Sequence, residues 1–173
     1  MPSPHLDANR ARALGQELVR VHHWLRTELT RIRADVTAYA AGSDLRPTRL
    51  RTHCTAFCAA LTRHHTSEDV AGFPALAEQF PELAPVLIEL RKDHDLVGDI
   101  LRRLTELVDS IGPNNADTVR RELDGLAAIL ESHFRWEERR LIEAFDALEM
   151  GTGTGEDLLG TALGADGARS ARD

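Results

Sequence analysis

The chain has 173 residues, 42% hydrophobic and 5% aromatic, and its 21 basic against 28 acidic residues give a formal charge of −7. That length suits one domain with a core of its own, and the acidic balance without a basic run excludes nucleic acid as an expected partner. No apolar run reaches the length of a membrane span, and Met1-Pro2-Ser3-Pro4-His5 lacks the charged and apolar parts of a secretory leader, so the expected location is cytoplasmic.

Leu, Ala, Arg and Glu dominate, which favours helix over strand. Residues 1–6 read as a flexible lead. A first helix is expected from Asp7 to Ala41, with the seam Leu14, Leu18, His22, Leu25, Leu29, Ile32, Val36 and Tyr39 at three-and-four spacing. Gly42-Ser43-Asp44 breaks it. Pro47 opens the second helix, whose seam is Leu50, Cys54, Phe57, Leu61, His64 and Glu68. This helix should fade at Gly72-Phe73-Pro74, leaving a short turn of helix over Ala75 to Gln79.

Pro81 opens the third helix, with the seam Leu87, Leu90, His94, Val97, Leu101, Leu104, Val108 and Ile111. Gly112-Pro113 ends it, and Asn114 or Asn115 can cap the next. The fourth seam is Val119, Leu123, Leu126, Leu130, His133, Glu137, Leu141, Ala144 and Leu148. The expected fold is all-α: an up-down-up-down four-helix bundle over residues 1–150. Residues 151–173 turn Gly-rich and read as a mobile tail with a weak turn at Asp157 to Leu159.

Each seam carries a histidine or glutamate where leucine would otherwise serve, and burying such groups unpartnered is costly. Their heights agree. His22 lies 21 residues before a first turn near residue 43, and His64 lies 21 after it. His94 and His133 each lie 19.5 residues from a third turn near 113.5. With Glu68 and Glu137 added, six polar residues fall in one layer, within about 5 Å along the bundle. Four imidazoles and two carboxylates suit first-row metals of borderline hardness. Six ligand residues exceed what one tetrahedral zinc takes and suit two octahedral ions bridged by carboxylates. With a bridging oxygen, two coordination positions are left for water or substrate.

Other polar residues have plainer readings. His22 lies on the seam, whereas His23 lies on a more polar face. His65 and Asp69 repeat the His-x-x-x-carboxylate spacing one step around the helix and read as solvent-side or outer groups, which leaves a register shift open. Glu138, Asp93 and Asp95 are candidates for orienting imidazoles. His53 lies too far along its helix to join the layer. Cys54 and Cys58, four residues apart, read as small core residues rather than a disulfide.

The order H…HxxxE…H…HxxxE resembles the hemerythrin-like (HHE cation-binding) family over roughly residues 15–148. His64-x-x-x-Glu68-Asp69-x-x-x-Phe73-Pro74-Ala75-Leu76 is similar to the family's H-x-x-x-E-E-x-x-x-F-P-A-L, and His133-Phe134-Arg135-Trp136-Glu137-Glu138 to the second copy. The resemblance implies a non-haem centre of two Fe ions (Fe2+/Fe3+) with a bridging oxo or hydroxo group, and a small ligand: O2, H2O2 or NO. Charge and apolar run length give no expectation of a membrane or nucleic-acid partner, and a protein partner stays unknown.

Two departures matter. Oxygen carriers have H-x-x-x-H on the third helix, but His94 is flanked at four residues by Leu90 and Gly98. Carriers also have H-x-x-x-x-D on the last helix, where the seam here favours Glu137, with Glu138 as the fallback. Both move the resemblance toward mycobacterial-type hemerythrin-like proteins, which implies hydrogen peroxide decomposition, with oxygen, nitric oxide or redox sensing and iron handling as the alternatives.

Overall fold

A computed structural model describes residues 4–151 and 153–160, with side chains from Leu14 onward. The described chain is all helical. Helices α1 (Pro4–Ala40), α2 (Pro47–Ser67), α4 (Ala84–Asp109) and α5 (Ala116–Ala147) form the bundle, while α3 (Phe73–Gln79) and α6 (Gly155–Leu159) are short. α1 packs on α5 and α2, and α4 packs on the same two helices, so the four close a ring. No helix is long and apolar enough among the described residues to cross a membrane.

The seams become the core. Leu18, Leu25, Ile32 and Val36 of α1 meet Leu50, Phe57 and Leu61 of α2, Leu90, Val97 and Leu104 of α4, and Val119, Leu123, Leu126 and Leu130 of α5, all buried. Tyr39 is half-buried at the end of its seam, and on α5 Phe145 takes the buried place expected of Ala144. The core falls into two apolar clusters. One runs from Val21 toward the ends of α1 and α4; the other gathers Leu14, Leu18, Phe73, Leu76, Leu141 and Phe145. The buried polar residues lie along the same seams, between positions that belong to the two clusters.

Four local expectations are corrected. Helix begins at Pro4, so residues 4–6 belong to α1, and residues 1–3 lie outside the described residues. The second helix does not fade at Gly72-Phe73. It widens into one π-helical turn, Glu68–Gly72, and runs directly into α3. The Phe73 N–H reaches back five residues to the Glu68 carbonyl. This extra residue restarts the hydrogen-bond register just ahead of Pro74, which has no N–H to give. Asn115 does not cap α5 with its side chain. It sews the end of α4 instead: its amide donates to the Leu107 and Ser110 carbonyls, and its oxygen accepts from the Gly112 N–H.

The fourth correction concerns the segment after Gly151. α6 packs on the bundle, with Leu158 and Leu159 buried, and Thr154 and Asp157 form a reciprocal capping box at its start. Gly160 ends it in the left-handed region, at φ 62° and ψ 42°. Position 72 is a glycine for close approach: a Cβ there would stand 2.6 Å from the Leu158 carbonyl oxygen. Residues 161–173 lie outside the described residues.

Candidate metal centre

All six expected residues meet. His22 Nε2 lies 3.1 Å from His64 Nε2 and 3.2 Å from Glu137 Oε2. His64 Nε2 lies 3.3 Å from Glu68 Oε1, and His94 Nε2 lies 3.4 Å from the other oxygen, Oε2. His133 Nε2 lies 3.5 Å from Glu137 Oε2. Glu68 and Glu137 are fully buried, and no imidazole in the group is more than 6% exposed.

A seventh residue joins them. His65, read from sequence as a solvent-side or outer group, is buried and stacks on His94, with ring centroids 3.9 Å apart and planes 11° apart. Two donor sets result, His22–His64–Glu68–Glu137 and His65–His94–His133, each with ligand atoms within 4.8 Å of one another. The two glutamates lie between the sets. The seam drawn from sequence allowed α2 one buried residue per turn, but α2 faces both α1 and α4. The signal was the doublet Ala60-Leu61 followed by His64-His65, both pairs buried. Of the histidine pair, His64 turns to His22 of α1 and His65 to His94 of α4.

The outer hydrogen bonds fix the tautomers. His22 Nδ1 bonds Glu138 Oε1 at 2.8 Å, and His94 Nδ1 bonds Asp69 Oδ1 at 2.8 Å. His133 Nδ1 meets Asp93 Oδ2 at 3.2 Å, and His64 Nδ1 meets the Leu159 carbonyl at 2.7 Å. Each acceptor is a carboxylate or carbonyl oxygen, so each Nδ1 carries the proton and each neutral ring turns its Nε2 lone pair inward. Arg26 backs this shell by donating to Glu138 and Glu131 while lying over the Phe134 ring.

What faces inward has no protein partner. Both oxygens of Glu68, both of Glu137, and Nε2 of His65, His94 and His133 are buried without a hydrogen bond. An unmet buried polar atom costs about 1–3 kcal/mol, more when charged. Two neutral imidazoles cannot satisfy each other through two lone pairs, so His22 and His64 at 3.1 Å need a cation between them or a proton on one. The titration directions say the same. Burial and the neighbouring His22 push His64 down to about 3. Burial would also lower His22, but Glu137 and Glu138 outweigh it and raise it. Burial beside Glu137 raises Glu68 well above its usual range, whereas His22 overrides burial and holds Glu137 low. Burial depresses His65 and His133. Such a layer gives up protons to whatever positive charge enters it, and imidazole with carboxylate suits first-row divalent ions.

The remaining candidates sort by place. His23 is exposed, as its polar face implies. Asp69, Asp93 and Glu138 orient imidazoles; Asp95 is exposed and makes no such bond. Gly98 does not open onto the layer: it lines an outer groove between α2 and α4 with Cys58, Thr62, Thr66 and Thr105. His53 bonds Glu28 at 2.8 Å. Cys54 and Cys58 are unbridged, and burial pushes their thiols up to about 12 and about 11, which leaves them unreactive.

Among known proteins, the family model of the hemerythrin HHE cation-binding domain matches residues 14–145. No curated protein and no solved structure matches the chain.

Proposed function

The chain belongs to the hemerythrin HHE cation-binding domain family, and from that premise we propose that its polar layer holds two first-row metal ions, iron by family resemblance, and binds a small dioxygen-derived ligand. Within the family, the motif order resembles the mycobacterial-type pattern. The supporting observation is the placing of two donor sets around two shared, unpartnered carboxylates. Bound there, such a pair supplies redox change and a coordination position for O2, NO or H2O2.

Each residue then has a task. Glu68 points Oε1 toward His64 and Oε2 toward His94, so one carboxylate serves both sets. Glu137 Oε2 sits between His22 and His133. The outer acceptors hold the Nδ1 protons of His22, His64, His94 and His133 and keep those four Nε2 atoms available. The flanking apolar clusters exclude water, and Phe134 walls the His22 side with its ring stacked 4.0 Å away.

His65 changes the donor count. Five imidazoles and two carboxylates would hold the pair, with His65, His94 and His133 on one side and only His22 and His64 on the other. The side of His22 and His64, with fewer imidazoles, would be the one left able to take a small ligand. The expectation of peroxide breakdown drew on two uncommitted positions and an absent fifth histidine; His65 stands in for that histidine from α2. Among the described residues, the buried polar residues are the seven themselves, and no further side chain stands among them to pass protons to a reacting peroxide. Reversible binding or sensing is therefore the reading the layer supports best.

The test is metal content of protein from iron-supplemented cells, followed by optical titration with oxygen, nitric oxide and hydrogen peroxide. Two irons per chain and a reversible spectral change with little oxygen evolution are expected. Steady oxygen evolution from peroxide would transfer the assignment to peroxide decomposition. Less than one iron on a folded bundle would overturn the two-metal reading.

A further inference from the structure

The bundle has a rough internal twofold. His22, His64 and Glu68 of α1 and α2 correspond to His94, His133 and Glu137 of α4 and α5. On the second half, the residue before the lone histidine is Asp93, whose carboxylate accepts from His133 Nδ1. Its counterpart before His22 is Val21, buried and apolar, which can accept nothing. His64 nevertheless has its Nδ1 proton accepted, at 2.7 Å, by the main-chain carbonyl of Leu159. This residue lies beyond position 145, where the family match ends.

Several features hold that carbonyl in place. Leu159 is 0% exposed and Leu158 is buried beside it. The capping box of Thr154 and Asp157 closes the start of α6. At its end, Gly160 turns left-handed against the main chain of Arg63 and His64, where a Cβ would stand 2.9 Å from the Arg63 carbonyl oxygen. Gly72, the last residue of the π-helical turn that begins at Glu68, admits the Leu158 carbonyl. The segment thus touches the chain on both sides of the His64–Glu68 pair, at Arg63 of α2 and at Gly72 of the π-helical turn.

We propose that Thr154–Gly160 is a strap that positions His64 for metal binding, its Leu159 carbonyl doing for His64 what the Asp93 carboxylate does for His133. A neutral carbonyl pulls less on the Nδ1 proton than a carboxylate, so it sets the tautomer without making His64 as strong a donor. The strap therefore governs the half of the layer that carries only two imidazoles. The inference rests on the two-metal reading.

The experiment uses the full chain. Metal-free protein with 15N-labelled histidine is read by long-range 1H–15N correlation for the ring protonation of His64. The Nδ1–H form, with its proton protected from exchange, is expected; an Nε2–H form overturns the proposal. Co2+ titration then compares the unaltered chain with Gly160→Val, which cannot hold the left-handed turn or its close approach to Arg63. The unaltered chain should take two Co2+; taking fewer refutes the two-metal reading itself. Gly160→Val should weaken one of the two by about ten- to a hundredfold and release the Nδ1 proton to exchange, with the other site little changed. Equal weakening of both sites, or a lowered melting temperature with both affinities kept, reduces the strap to packing and overturns the proposal.

Discussion

The two halves of the bundle, α1 with α2 and α4 with α5, place equivalent ligand atoms at equivalent points, yet surround them differently. Both halves carry a lone histidine, a His-x-x-x-Glu pair and a carboxylate one residue beyond it. That last carboxylate crosses over in each case: Asp69 holds His94, and Glu138 holds His22. The symmetry breaks where it matters chemically. The residue after the pair's histidine is His65 in the first half, stacked on His94, but Phe134 in the second, stacked on His22. In the proposed two-metal layer, one bundle position, filled by an imidazole or by an apolar ring, would separate a metal position enclosed by protein donors from one able to take a ligand.

The carboxylates common to both halves should show the largest effect. Glu137→Gln removes a charge that both donor sets share, so both ions should weaken by more than about a hundredfold in calorimetric Co2+ titration. Loss of one ion alone would mean that the sets do not share Glu137.

Metal-free protein should expose the next effect as acid sensitivity. His64, His65 and His133 have folded pKa values depressed by burial, so below about pH 6.5 the unfolded chain binds protons that the fold refuses. Stability then falls as pH falls. Glu68 opposes this, because its raised folded pKa keeps a proton that the unfolded chain releases above about pH 4.5. His22, raised in the fold, is protonated in both states below about pH 6.5 and adds no slope there. Three depressed histidines against one raised carboxylate leave a net loss of stability as pH falls between those limits. The metal-loaded protein should resist this loss. Equal melting curves for both forms across that range would refute it.

Exchanging the asymmetric residues tests the comparison directly. His65→Phe should make the halves alike, weaken one ion by about ten- to a hundredfold, and speed the reaction with peroxide by opening a second position. Phe134→His should keep both ions but suppress any spectral change with oxygen or nitric oxide, since a sixth imidazole competes for the remaining position. Ligand binding unchanged in Phe134→His would place the reactive side elsewhere.

Much of this was legible in the sequence because the bundle is regular. Leucine spacing marks four helices, and equal distances from the turns put His22, His64, His94 and His133 at one height. His65 was not legible because a single seam treats a helix as having one buried face, whereas α2 is flanked on two sides. The π-helical turn was missed because Pro74 reads as a stop, and only the wider ring of hydrogen bonds lets the chain continue through it. Leu159 was invisible for a different reason: its contribution is a main-chain carbonyl, and no residue type announces one.

The smallest expected effect separates local from general action of the outer carboxylates. Asp69→Asn should weaken the ion on the His94 side, and Glu138→Gln the ion on the His22 side, each by about tenfold, or about 1.4 kcal/mol. The two are not equally backed. Glu138 accepts from Arg26 at 2.9 Å, so its neutral variant leaves the guanidinium beside it with Glu131 alone as counter-charge. Asp69 has Arg91 only at 4.0 Å. Glu138→Gln should therefore exceed Asp69→Asn, and Glu138→Gln with Arg26→Gln should recover part of the difference. If each variant instead weakened both ions alike, the carboxylates would be acting through the net charge of the layer. The crossing of Asp69 to His94 and of Glu138 to His22 would then carry no selectivity between the halves.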